Sequence, residues 1–138
     1  MDQLPIGRLQ FCLSGTSPFA TMWRFHFNHI EESHAPPLHL HLNQEEWFYI
    51  MEGEVVFQVG GQRLHLHAGE SVLAPRRIPH TFSSVAATPS RMLIAFCPAG
   101  KMEQFFRDVE NPKAPVEQAA FWRRYDMELV GPSPFRKS

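Results

Sequence analysis

Turn-forming residues constrain this chain more than any other feature. Between Thr21 and Cys97 it is cut at Pro36-Pro37, Gly53, Gly60-Gly61, Ala68-Gly69, Pro75 and Pro79. The intervening pieces are short, and they are rich in phenylalanine and β-branched residues, which favour pleated surfaces. They read as strands. Trp23, Phe25 and Phe27 alternate with Arg24, His26 and Asn28 over Thr21 to His29, the period of a half-buried strand. His26 falls on the polar face and reads as a surface or pocket-rim histidine. Further strands are expected over residues 46–51, 54–59, 62–67, 70–74, 80–84 and 91–96, with a two-residue hairpin at Gly60-Gly61. An edge strand is expected near Leu9 to Leu13.

The β-pattern stops after Pro98-Ala99-Gly100. Met102, Phe105, Phe106 and Val109 then recur at helical spacing. A second helix is expected over Val116 to Tyr125, a short extended return over Met127 to Val130, and a frayed end from Gly131 onward. About eight short strands with a helical C-terminal segment predict an all-β sandwich or small barrel. At 138 residues the chain is expected to form one domain, with a barrel core over about 20–97 and a helical extension over about 101–130.

The formal net charge of -1 gives no field that points to nucleic acid or an anionic membrane surface. There is no apolar run of about 20 residues and no signal-like N-terminus, so the expectation is a cytoplasmic protein without a membrane span. Cys12 and Cys97, the two cysteines, are too few for a disulfide scaffold and read as reduced, buried thiols.

The chemistry concentrates in His39-Leu40-His41-Leu42-Asn43-Gln44-Glu45-Glu46. Two histidines one residue apart on a strand project to the same face, extended here by Pro36-Pro37. A carboxylate that re-enters after a turn can close on the same point. Glu46 shares its side with Phe48 and Ile50, whereas Glu45 shares one with Trp47 and Tyr49. Glu46 is therefore the expected ligand and Glu45 its exposed neighbour. His80, which opens a later strand, is the candidate fourth ligand. His65-Leu66-His67 is a rival pair. Leu64 and Leu66 need the core, so His65 and His67 are expected to face solvent or a subunit contact, with no carboxylate returning to their side.

These residues resemble the cupin family. His39, His41, Glu46 and Gly53 stand at the spacings of its first motif, and Gly69, Pro75 and His80 match its second. Arg77 stands where that second motif expects glycine, and Ser84 where it expects asparagine. The resemblance implies a double-stranded β-helix, or jelly-roll barrel, with a short C-terminal helical segment. It also implies that His39, His41, Glu46 and His80 bind one divalent transition metal. Such a donor set suits Fe, Mn, Ni, Cu or Zn rather than Ca or Mg.

The single-domain shape, EEWFYIMEGEVVFQVGG, RRIPHTF and PAGKMEQFF look similar to the small cupins grouped with quercetin 2,3-dioxygenases. This resemblance implies a metal-dependent dioxygenase acting on a small aromatic or enediol-type substrate, with Glu46 also able to act as catalytic base if it loosens from the metal. The inward faces predict a pocket lined by Phe48, Ile50 and Phe82, with Trp23, Phe25 or Phe27 beside them. Arg77 either reaches the barrel mouth to pair with an anionic substrate or is a solvated surface arginine. The competing functions are a metal-dependent isomerase, decarboxylase or lyase on a small anionic substrate, and a non-enzymatic module that binds a small ligand or metal. Resemblance to small cupins further implies a homodimer, with Trp47, Tyr49 and the lead-in strand as contact surface.

Overall fold

The alternating segments pair into two five-stranded sheets that face each other across an aromatic core. The protein is described here by a computed structural model, which covers residues 10–16, 19–27, 35–85 and 89–135, with backbone alone for residues 10–16 and 27. One sheet has the order β1-β2-β9-β4-β7 and the other β10-β3-β8-β5-β6. Their strands are β1 (Gln10–Thr16), β2 (Thr21–Phe27), β3 (Leu38–His41), β4 (Glu45–Glu52), β5 (Glu54–Val59), β6 (Gln62–His67), β7 (Ser71–Ala74), β8 (His80–Ser84), β9 (Ser90–Cys97) and β10 (Met127–Gly131). All the strand pairings are antiparallel. This is the jelly-roll arrangement that the resemblance implies, and it agrees with the all-β sandwich or barrel read from the strand pattern.

Where side chains are described, alternate residues of the strands face the space between the sheets, as a period of two requires. On β2, Trp23 and Phe25 are buried while Met22 and Arg24 are exposed. On β4, Glu46, Phe48 and Ile50 are buried, and Trp47 and Tyr49 lie on the other face with their rings stacked at 5.8 Å. The core is a continuous aromatic cluster. Phe82 makes edge contacts with Phe25 and Phe48, and Phe57 packs on both Phe48 and Phe82.

Two helices, α1 (Met102–Val109) and α2 (Ala119–Arg123), lie between β9 and β10. The first buries Met102, Phe105, Phe106 and Val109, the four residues that its spacing singled out. The second is shorter than the sequence predicted. Pro115 and Val116 lie in turns, the Val116 carbonyl accepts the Trp122 indole N–H at 2.7 Å, and Gln118 has an extended backbone (ψ 124°), so helical geometry starts only at Ala119. Asp126, in the left-handed region at φ 61°, ends the segment and turns the chain into β10.

Because β9 belongs to one sheet and β10 to the other, the helices cross from sheet to sheet, anchored at both ends. Tyr125 Oη donates to Asp108 Oδ2 at 2.5 Å and ties the two helices together. Residues 131–135, expected to fray, are instead held: Ser133 is buried, and the Arg63 guanidinium lies 4.5 Å from the centre of the Phe135 ring. Cys97 is exposed rather than buried, because it faces outward at the end of β9. The Cys12 side chain lies outside the described residues.

Candidate metal centre

β3 and β8 are adjacent in one sheet, and His39 is directly opposite His80 across that pair. Thr81 Oγ1 donates to the Pro36 carbonyl at 2.7 Å and fixes the proline segment that leads into β3. Strand alternation then brings His41 to the same face as His39. Glu46 enters from the other sheet, where it is paired with Phe96 and Ala74. The four residues meet between the sheets, with all four ligand-type atoms within 4.8 Å of one another. His41, Glu46 and His80 are at most 5% exposed.

The hydrogen bonds around these rings fix which nitrogens carry protons. His39 Nδ1 lies 2.8 Å from the Pro37 carbonyl and His80 Nδ1 lies 3.1 Å from the Ile78 carbonyl. A carbonyl can only accept, so each Nδ1 donates, and each neutral ring keeps a lone pair on Nε2. Yet His80 Nε2 lies 2.8 Å and His41 Nε2 3.0 Å from one oxygen of Glu46, itself an acceptor. Neither ring nitrogen of His41 has an aligned hydrogen-bond partner among the described residues, although the ring is buried. An orphaned buried polar atom costs about 1–3 kcal/mol. The His80 lone pair facing a carboxylate at that distance calls for a cation between them, and a metal ion held by the four residues supplies one. The donor set therefore fits a metal.

The electrostatics point the same way. Burial, followed by the neighbouring His80 and His41, pushes the His39 imidazole down to about 3, which leaves it neutral and able to coordinate at neutral pH. Burial would push the Glu46 carboxyl up, but the His80 and His41 imidazoles outweigh it and hold Glu46 well below the usual carboxylate range. Three imidazoles and one carboxylate suit a borderline divalent ion and leave coordination positions open on a five- or six-coordinate metal.

Above these residues is a cavity of about 40 Å³. This is room for roughly three water-sized groups. Phe48 and Phe82 line it as the sequence suggested, but most of the wall was not anticipated. Phe96 reaches it from β9, Met102, Phe105 and Phe106 from α1, and Trp122 from α2. The Trp122 ring lies 5.2 Å from His39 and 5.4 Å from Phe105, so the helices stop the barrel mouth directly over the imidazoles. The only sequence signal for this was the apolar spacing of α1, which shows that a face is buried but not what it covers.

Two proposed lining residues are elsewhere. Ile50 is wholly buried but does not reach the cavity, because it sits further along β4 than Glu46 and Phe48. Arg77 is exposed and does not line the cavity. Its contribution is through the backbone: its N–H donates to the His41 carbonyl at 2.6 Å, and its φ of 68° lies in the left-handed region. That conformation explains why the family pattern has glycine at this position. The Phe27 side chain lies outside the described residues.

The rival pair also departs from expectation in one respect. His65 and His67 do face solvent, but carboxylates reach them: Glu54 from β5 lies 3.4 Å from His65 Nε2 and 2.8 Å from His67 Nε2. Sequence separation hid this contact, since Glu54 becomes a neighbour only when β5 and β6 pair and put it opposite His67.

A jelly-roll barrel with three imidazoles and a carboxylate between its sheets defines a cupin. The chain belongs to the cupin family, whose Cupin domain description matches residues 26–96. Among curated proteins it is 41% identical over 54 residues to the HTH-type transcriptional regulator PuuR of Escherichia coli K12, a stretch that covers 39% of this chain and 29% of the regulator. The aligned stretches take up less than half the length of the curated relatives. Among solved structures, TT1209 from Thermus thermophilus is 24% identical with a TM-score of 0.59 over 66% of this chain and 84% of that one. PAC13 from Streptomyces, determined with uridine, is 14% identical with a TM-score of 0.60 over 92% of this chain and 81% of that one. At such identities the structural likeness concerns the fold. Among the described residues no helix is long and apolar enough to cross a membrane.

Proposed function

We propose that this cupin is a metal-dependent enzyme of the dioxygenase type, in which His39, His41, Glu46 and His80 hold one Fe, Mn, Ni, Cu or Zn ion. The observation that carries the metal reading is the convergence of four ligand-type atoms on a single point, with the His80 Nε2 lone pair 2.8 Å from the Glu46 carboxylate. When bound, the metal supplies Lewis-acid polarisation of a substrate oxygen and, for a redox-active ion, electron transfer.

The residues of the chain do the rest. The Pro37 and Ile78 carbonyls orient His39 and His80 so that Nε2 faces the centre. Glu46, held ionised in this site, serves first as a ligand, and takes a proton from an acidic hydroxyl of a bound substrate only once it loosens from the ligand set. Phe48, Phe82 and Phe96 exclude bulk water, and Trp122 limits the substrate to a few heavy atoms. A three-ring flavonol exceeds the 40 Å³ space, so the size of the cavity favours a small enediol over the larger aromatic substrates within the same chemistry.

Metal analysis of protein purified without added metal, followed by oxygen-uptake assays with a panel of small enediols, tests this. Bound metal and substrate-dependent oxygen consumption are expected. Metal-free protein that takes up none on dialysis removes the metal reading, and absence of uptake with every metal form removes the dioxygenase reading. Turnover that does not need O2 identifies an isomerase or lyase instead. The similarity to part of an HTH-type regulator favours a second reading, a small-ligand-binding module. Saturable ligand binding without any turnover would select it.

A further inference from the structure

We propose that Glu54, His65 and His67 form a second, solvent-open site for a borderline divalent cation such as Zn2+, on the outer face of the β5–β6 hairpin. The proposal is independent of the buried centre, since no residue is shared. His65 and His67 alternate to the same side of β6, the edge strand of its sheet, and their rings stack at 4.7 Å with planes 17° apart. Their Nε2 atoms both approach Glu54 Oε1, at 3.4 and 2.8 Å, and one ligand atom from each of the three residues lies within 4.8 Å of the others.

The tautomer is again set from outside the cluster. Glu70 Oε1 accepts from the backbone N–H of His67 at 2.7 Å and lies 3.2 Å from His67 Nδ1. A carboxylate only accepts, so Nδ1 of His67 carries a proton and the neutral ring keeps its lone pair on Nε2, aimed at Glu54. A carboxylate that orients a histidine whose other nitrogen faces a ligand point is the usual support of a zinc-bound imidazole. The hairpin turn at Gly60-Gly61 and the six-residue β5–β6 ladder hold the backbone of this face in register, so closing on an ion needs side-chain adjustment alone. Two imidazoles and one carboxylate, with water completing the shell, suit Zn2+, Ni2+ or Cu2+ rather than Ca2+ or Mg2+. The competing occupant is a proton, which would make His67 an imidazolium between Glu54 and Glu70.

Zinc titration of the full chain, labelled with 15N-histidine and read by long-range 1H–15N correlation spectra, separates the two. With zinc, the Nε2 resonances of His65 and His67 move together to metal-bound values while Nδ1 of His67 keeps its proton. His67→Ala abolishes the response at His65. Glu54→Gln raises the half-saturating zinc concentration by about tenfold or more, and Glu70→Gln by about tenfold. The same response persists in a His41→Ala/His80→Ala variant whose circular dichroism is that of the parent. Ring nitrogens unmoved by millimolar zinc, a response at His65 that survives His67→Ala, or one lost in the folded buried-site variant would each overturn the proposal.

Discussion

Two His-x-His pairs lie on strands of the same sheet, and their surroundings make them different objects. His39 and His41 on β3 face inward and meet a carboxylate from the opposite sheet, under a lid of aromatic rings. His65 and His67 on β6 face outward and meet a carboxylate from the next strand, open to water, with side chains 46% and 57% exposed. Alternation on a strand creates both pairs. Burial separates them: an unpaired nitrogen inside the barrel costs free energy that a cation relieves, whereas one on the surface is solvated.

The sharpest way to break this comparison is to remove a ligand from each pair. His80→Ala is expected to weaken metal binding at the buried centre at least about 100-fold by equilibrium dialysis, since even residues that only support a ligand are worth about 10–100-fold. Equal metal affinity in parent and variant would mean that the four residues are not a centre.

The lid is the next difference to test. Trp122→Ala is expected to cost about 3–5 kcal/mol in denaturant unfolding, because Trp122 is 2% exposed and packed on Phe105 and His39. The same variant should admit larger ligands than the parent. An unchanged size limit would mean that Trp122 does not close the site.

A pH experiment then probes the tie between the two helices of the lid. Burial and the hydrogen bond to Asp108 push the Tyr125 hydroxyl up to about 12, above its usual value near 10. The folded state thus holds the proton more tightly than the unfolded state. This stabilisation is complete below about pH 10 and is lost as pH rises towards 12, by up to about 2 kcal/mol. Tyr125→Phe should flatten that slope in unfolding curves measured at pH 9 and 11; a parent with no slope would show that the Asp108 contact does not act on the titration.

Arg77→Gly, which removes a side chain from a left-handed backbone beside His41, is expected to stabilise the fold by up to about 1 kcal/mol in the same assay. The smallest effect belongs to the surface pair. His65→Ala with His67→Ala should change stability in metal-free buffer by within about 0.5 kcal/mol, because exposed side chains carry little packing energy. A large loss there would mean that the two clusters are alike after all.

Much of this architecture was legible from local pattern. Period-two alternation placed Trp23, Phe25, Glu46, Phe48 and Phe82 on inward faces, and the turn at Gly60-Gly61 fixed the β5–β6 register. The helical spacing of Met102, Phe105, Phe106 and Val109 predicted their burial. Local pattern failed wherever the answer lay on another strand. It assigned no carboxylate to His65 and His67, because Glu54 is remote from them along the chain and adjacent only across the hairpin. It put Ile50 in the pocket, because facing inward does not say how deep in the barrel a residue lies. It weighed the Arg77 side chain, whereas the consequence of that residue lies in its φ and its N–H.

The sequence by itself determined the strands and their faces, since side-chain direction in a strand follows from chirality and pleat, and its resemblance to the cupin motifs pointed to the four residues able to converge on one ion. Only the tertiary structure decided that the centre is roofed. The path of the chain from β9 in one sheet to β10 in the other drags α1 and α2 across the barrel mouth and sets Trp122 over His39. That placement depends on which strands pair, a non-local choice that no short window of residues encodes.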